Sequence, residues 1–331
     1  MMDISVDYMG LRLKSPFIAA SSGYTANMEK MIALAHSGVG AIVLKSLFEE
    51  QISSEAEFIR AQSAEYPENA DFIHRYVTAH SVEKYLELIK EARRRCGVPI
   101  IASINCFSPG KWSEFSKDME RAGADALELN LYSLPVSQFR SSQEIEDSYR
   151  QIVKEVSGNV KIPVSVKIGN EFTNLTQFVS SLKGYGASAV TLFNRFYSPD
   201  ISLKSMSLVP SAPFSGKHDY IKELRWIAII SSVVRGLDLS ASTGVHDASA
   251  ALKLLLSGAK TVQLCSVLYQ QGPFVVATFI EELKWFMECK GFKRVSDFTG
   301  MLNYSRIAHP EMFERVQFMK MAQKGEHVKP S

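Results

Sequence analysis

Apolar positions in this chain gather into short runs, separated by longer segments whose hydrophobic residues recur at helical spacing. Runs rich in β-formers occupy 16–21, 41–47, 99–105, 126–132, 163–169, 189–195, 237–242 and 261–267. They barely alternate between apolar and polar, the pattern of parallel strands buried on both faces. The intervening segments predict helices over 27–37, 81–95, 113–122, 142–156, 175–185, 220–234 and 247–256. Each stops at or just before a glycine, as a left-handed C-terminal cap requires. Ser113 with Ser116, Asn174 and Asp247 stand where side chains cap helix starts.

Three helix ends read alike: Ala122-Gly123-Ala124-Asp125, Tyr185-Gly186-Ala187-Ser188 and Ser257-Gly258-Ala259-Lys260. Each leads directly into a strand. A strand–helix unit recurring eight times predicts an α/β fold, a (β/α)8 TIM barrel, with an open doubly wound sheet as the alternative. A short N-terminal β-hairpin is expected over 4–14, turning at Met9-Gly10 and plugging the barrel floor. A C-terminal helical extension is expected after Pro273. The whole chain, 1–331, reads as a single domain. Long connections at 48–80 and 197–219 leave the C-terminal ends of strands, the face where such barrels carry their sites.

Composition adds exclusions. With 46% hydrophobic and 22% charged residues the chain is an ordinary globular one, and its net charge of +2 gives no reason to expect nucleic acid or an anionic membrane as partner. The four cysteines, Cys96, Cys106, Cys265 and Cys289, form no CxxC pair and have no histidine at ligand spacing, so structural zinc and iron–sulfur clusters are not expected. Scattered free cysteines fit a reducing compartment. Residues 1–10 lack a signal pattern and no apolar run reaches ~18 residues, so the expectation is a soluble, cytoplasmic protein without a membrane partner.

Polar residues ending the strand runs are the candidates for chemistry. Lys45 closes Ala-Ile-Val-Leu-Lys and Lys167 closes Val-Ser-Val-Lys. A lysine buried in an apolar strand is costly unless an anion pairs with it. Two such lysines, with no acid on their own strands, point to an anionic ligand; the plainer alternative is that each reaches solvent. Asn130 and Asn194 end two further strands, where amides can read a planar heterocycle or simply cap backbone. Glu128, between leucines, reads as structural and as pointing opposite to the neighbours of Asn130. Ser242-Thr243-Gly244-Val245, ahead of the helix at 247, and Cys265-Ser266, after the eighth strand, hold the places of phosphate-binding turns in such barrels.

Taken in order, Pro16-Phe17-Ile18-Ala19-Ala20-Ser21, Gly123 through Leu127-Glu128-Leu129-Asn130, Pro163-Val164-Ser165-Val166-Lys167, Leu192-Phe193-Asn194-Arg195 and Gly258 through Gln263 resemble the dihydroorotate dehydrogenase family, in particular its dihydroorotate dehydrogenase-like bacterial branch. The resemblance runs from about Val6 to Pro273. It implies FMN on the C-terminal face of the barrel. Ala20 and Ser21 would lie near the isoalloxazine, Lys45 between flavin and substrate, Asn130 on flavin or substrate, and Lys167 beside the reduced ring. Thr243, Gly244, Cys265 and Ser266 match phosphate-binding positions, and Asn194 matches an amide for the pyrimidine.

The implied reaction oxidises dihydroorotate to orotate in pyrimidine biosynthesis, and Ser133 falls on the position of the family's catalytic base. The stretch Asn130-Leu131-Tyr132-Ser133-Leu134-Pro135 carries Leu-Pro where the family has Pro-Asn, and no substrate-binding asparagine is recognisable in Glu65-Tyr66-Pro67-Glu68-Asn69. Arg195 and Tyr197 are additional candidates for holding a carboxylate. The resemblance also implies a small-molecule substrate and, as in soluble members, a homodimer, for which the residues offer no feature of their own. Open alternatives are an FMN protein acting on another dihydropyrimidine or an unsaturated acid, a flavin-binding protein without turnover, and a flavin-free lyase or isomerase using Lys45 or Lys167 as a Schiff base.

Overall fold

The computed structural model describes residues 2–49, 70–106, 110–196 and 198–314. Tyr197 and most of the long connection after the second strand, with Glu65 to Asn69, lie outside these residues. The strands are β1 Val6–Tyr8, β2 Leu11–Leu13, β3 Phe17–Ala19, β4 Ala41–Val43, β5 Leu47–Phe48, β6 Ile100–Asn105, β7 Ala126–Leu131, β8 Val164–Ile168, β9 Ala189–Leu192, β10 Pro199–Ser202, β11 Ser207–Pro210, β12 Asp238–Ser242 and β13 Thr261–Leu264. The helices are α1 Met28–Ser37, α2 Ala70–Cys96, α3 Lys111–Arg121, α4 Ser142–Asn159, α5 Leu175–Gly184, α6 Tyr220–Val233, α7 Ala248–Ser257, α8 Ser266–Gln271 and α9 Val275–Lys290.

All pairings in the large sheet are parallel. Its order runs β4-β3-β13-β12-β9-β8-β7-β6, and β4 pairs with β6 to close the ring. This is a closed (β/α)8 TIM barrel, and closure excludes the open doubly wound sheet. The second stave is built of β4 and β5, both paired with β6. Ile42 and Val43 face Ile100 and Ile101, whereas Leu47 and Phe48 face Ile104 and Asn105. Three residues, Leu44-Lys45-Ser46, therefore oppose two, Ala102 and Ser103. This is a bulge in a parallel pair, and it re-aims the side chains at the site end of the stave.

Local sequence explains the helix ends. Asn27 and Asp247 accept the backbone N–H of Lys30 and Ala250, and Ser141 with Glu144 forms a capping box at α4. Burial of β7 is complete along its length, because helices cover the outside and neighbouring strands the inside. The hairpin β1–β2 turns at Met9-Gly10 as expected. Tyr8 and Met9 are buried, and the Met9 N–H donates to Asp238 Oδ2 (2.9 Å) at the entrance of β12, so the hairpin closes the N-terminal end of the barrel.

Several boundaries differ from the sequence reading. The helix expected from 81 already runs from Ala70. The run at 261–267 is divided, since the strand ends at Leu264 and Ser266 opens α8. A second hairpin, β10–β11, stands within the long connection after β9, where polar residues and prolines hid any strand signal. After α9 the chain continues in short 3-10 turns at Val295–Asp297 and Pro310–Phe313. Among the described residues, no helix is long and apolar enough to cross a membrane, no cysteine is in a disulfide, and no group of three metal-ligating side chains occurs.

Candidate active site

At the C-terminal ends of β3, β8, β9, β12 and β13 a cleft opens between the barrel mouth and the segment after β11. Ala20, Ser21, Lys167, Asn194, Arg195, Thr243, Gly244, Cys265 and Ser266 line it, so nine of the residues singled out in the sequence share one wall. Ser215, Ser242 and Gln263 complete much of the rest. Among the described residues, two cations and no acid line the cleft.

Lys167 Nζ is 3.1 Å from Gln263 Oε1 and 3.9 Å from Glu128 Oε1, and its side chain is 6% exposed. The nearest acid therefore comes from the neighbouring strand. Glu128 points opposite to Asn130's neighbours, as expected: two residues apart on β7, Glu128 and Asn130 both face the barrel interior. Its Oε2 accepts from Gln263 Nε2 (2.6 Å) and Thr191 Oγ1 (3.1 Å), and its Oε1 has no hydrogen-bond partner among the described residues. An ammonium has three donors, and among the described residues only Gln263 accepts one within hydrogen-bond length, so donors remain for the cleft.

A polar chain crosses the mouth beside it. The Ser21 and Ser46 hydroxyls are 3.0 Å apart, and Ser46 is 2.8 Å from the Ser103 hydroxyl. Asn130 Nδ2 donates to Ser46 (2.6 Å) and Ser103 (3.2 Å), and Asn194 Nδ2 approaches Asn130 Oδ1 at 3.5 Å. Asn130 is thus buried one step behind the cleft, orienting Ser21 and Asn194 rather than lining it. Inward-facing Ser103, Gln263 and Thr191, lone polar residues inside apolar strands, were the unread sequence signal for this layer.

The two turns after β12 and β13 carry donor-rich backbone. Thr243 and Gly244 have φ of +85° and +75°. A Cβ at Gly244 would lie 2.1 Å from the Tyr220 backbone N, so only glycine lets the turn pack on the start of α6. Among the described residues, no backbone acceptor takes the N–H groups of Thr243, Gly244, Cys265 or Ser266. Burial pushes the Cys265 thiol pKa up, against Lys167, a Ser22 hydrogen bond and Arg195, which lower it, so the turn holds a neutral thiol. Backbone N–H groups without a backbone acceptor, a lysine and no acid among the described lining residues together suit an anion.

Of three further expected residues, one is engaged otherwise and two stand elsewhere. Arg195 lines the cleft, but its guanidinium donates to the carbonyls of Ala212 (2.7 Å) and Pro213 (3.1 Å), tying down the strap after β11 instead of reaching for a carboxylate. The bulge in the second stave turns Ser46 toward the axis, and Lys45 lines a separate recess with His80, Ser81 and Lys84. Ser133 also opens to other recesses, shared with Tyr132, Arg140 and Tyr149. Tyr149, whose phenol is pushed up to about 12 mainly by burial, bonds to the Ser133 backbone. The structure brings neither Lys45 nor Ser133 into the cleft.

The family model for dihydroorotate dehydrogenase matches residues 3–287. Dihydroorotate dehydrogenase B (NAD(+)), catalytic subunit, of Thermoplasma volcanium is 26% identical over 308 residues, covering 91% of this chain and 99% of the relative. The protein of that same description from Thermoplasma acidophilum is 23% identical, with 91% and 99% covered. NAD-dependent dihydropyrimidine dehydrogenase subunit PreA of Escherichia coli K12 is 23% identical, with 91% of this chain and 77% of the relative covered.

Proposed function

The chain belongs to the dihydroorotate dehydrogenase family, a family of oxidoreductases, and on that premise we propose that it is an FMN-dependent enzyme, acting as one FMN-binding unit, that oxidises dihydroorotate to orotate. The observation that carries the reading is the donor-rich cleft, with no acid among its described lining residues: Lys167 and the Thr243–Gly244 and Cys265–Ser266 turns all line it. FMN presents an anionic phosphate and a ring that becomes anionic on reduction, so these residues fit the group. Bound FMN supplies the two-electron acceptor for a CH–CH bond.

The chain's own residues bind, orient and shield. The two turns hold the phosphate through backbone N–H groups. Lys167 stabilises negative charge where it develops, and Glu128 and Gln263 keep its ammonium aimed. Ser21 and Asn194, oriented through Asn130, present a hydroxyl and an amide to a planar pyrimidine. Arg195 fastens the strap that forms the outer wall. For Ser133 the role of base rests on the family motif alone, and Lys45 has no role in the cleft as it stands.

A second reading retains FMN and exchanges the substrate for another dihydropyrimidine. Two observations favour it: a PreA relative matches over most of the chain, and the Ser133 loop departs from the family pattern at Leu134-Pro135. Purified protein should be yellow and release FMN on denaturation. Anaerobic addition of dihydroorotate should bleach the flavin absorbance. Bleaching by dihydrouracil but not dihydroorotate would select the second reading, and colourless protein that binds no added FMN would reject both. Reoxidation with NAD, fumarate or quinone then identifies the electron acceptor.

A further inference from the structure

Beside the Thr243–Gly244 and Cys265–Ser266 turns lies a hydrogen-bonded chain of Gln270, His246, Ser215 and Ser266. His246 is 6% exposed and sits just past the Thr243–Gly244 turn. Its Nε2 is 3.0 Å from Ser215 Oγ, and its Nδ1 is 3.2 Å from Gln270 Oε1. Ser215 Oγ is in turn 3.0 Å from Ser266 Oγ, and the Ser215 N–H donates to that same Ser266 oxygen at 3.1 Å. Ser215 and Ser266 both line the cleft, whereas His246 stands behind them. The chain therefore links the strap after β11, the turn after β12 and the turn after β13.

Each hydroxyl owns one proton, so the direction of the chain is set at its histidine end. When Nε2 bears hydrogen, it donates to Ser215 Oγ. The Ser215 O–H then points to Ser266 Oγ, which accepts both the Ser215 N–H and the Ser215 O–H. The Ser266 proton has no remaining acceptor in the chain and turns into the cleft. When Nε2 is bare, the Ser215 O–H goes to the ring, the Ser266 O–H goes to Ser215 Oγ, and the cleft meets only an oxygen lone pair. The first arrangement offers an anion a donor; the second repels it. Gln270 can present either end of its amide to Nδ1, so it accommodates both.

We propose that His246 is a positioning residue for the cofactor phosphate: through Ser215 it turns the Ser266 hydroxyl proton into the cleft and so sets the selectivity for FMN over an uncharged flavin. The inference rests on the flavoprotein reading and deepens it. A hydrogen bond to a charged acceptor is at stake, so the expected effect is about tenfold or more in affinity.

The test compares His246→Leu with His246→Gln. Leucine fills the space and offers no polar atom. Glutamine carries an amide nitrogen the same number of bonds from Cβ as the imidazole Nε2 and restores a donor. Dissociation constants for FMN and for riboflavin, which lacks the phosphate, are measured by flavin fluorescence on protein stripped of flavin. The Leu variant should bind FMN about tenfold or more weakly, with riboflavin affinity unchanged, and the Gln variant should recover most of the loss. In a Ser266→Ala background the His246→Leu change should have no further effect, because the two act through one bond. Equal FMN affinity in wild type and Leu variant overturns the inference. So does parallel weakening of FMN and riboflavin, or a Gln variant no better than the Leu one. Wild-type protein that binds neither flavin instead defeats the flavoprotein reading itself, and the role of His246 with it.

Discussion

Glu223 offers a test of the fold's electrostatics independent of any ligand. It lies in the first turn of α6, is 4% exposed, and its Oε2 has no hydrogen-bond partner among the described residues. Burial raises its carboxyl from 4.5 to about 8; a backbone bond and Lys222 oppose the shift, and Asp219 adds to it. A carboxyl whose folded-state pKa is raised favours the protonated form. Its cost is absent below the unfolded value, grows as pH rises from about 4.5, and levels off above about 8. At pH 7 the unfolded chain has gained roughly 2.5 units of ionisation free energy that the folded chain forgoes, about 3 kcal/mol at about 1.4 kcal/mol per unit.

Glu223→Gln removes the titration and keeps the shape. The stability difference between variant and wild type should therefore be flat below pH 4.5 and should widen by about 3 kcal/mol in the variant's favour by pH 7. Urea unfolding followed by far-ultraviolet circular dichroism across pH 4 to 9 measures it. A difference that stays constant over that range would show that Glu223 ionises normally in the folded protein, and the burial argument would fail.

Other outcomes follow from the site. Lys167→Met should abolish retention of FMN and destabilise the fold by about 3–5 kcal/mol, because Glu128 is left charged and buried. Adding Glu128→Gln to it should recover stability without recovering FMN, and recovery of neither would reject the Lys167–Glu128 pairing. Gly244→Ala should lower the melting temperature by several degrees and weaken FMN binding, since its Cβ would meet the Tyr220 backbone at 2.1 Å; calorimetry and flavin titration read both. Arg195→Ala should free the strap after β11, speeding proteolysis between β10 and α6 and shortening flavin residence, and unchanged cleavage would show the strap is held by other contacts. Ser133→Ala should leave FMN content unaltered, because Ser133 opens to a different recess. Slowing of anaerobic reduction by about 10²–10⁴-fold would support it as the base, and an unchanged rate would remove it.

The sequence alone determined what is local or periodic. Eight apolar runs without alternation, helices ending at glycines, and hairpin residues at Met9-Gly10 each report an environment confined to a few neighbours in the chain. Lys167, Thr243, Gly244, Cys265 and Ser266 were legible because a polar or small residue ending a buried strand is anomalous on its own terms. The tertiary structure decided what depends on register and on contacts across the barrel. One extra residue opposite Ala102 and Ser103 turned Ser46 inward and Lys45 away, and no single strand's pattern records its partner's count. Glu128 became the counter-charge of Lys167 because β7 and β8 pair with Asn130 beside Lys167. Arg195 became a strap anchor, and His246 joined Ser215 and Ser266, only when segments separated by tens of residues were folded together. Side-chain partners at such separations are fixed by closure of the ring, and closure is a property of the whole sheet rather than of any run within it.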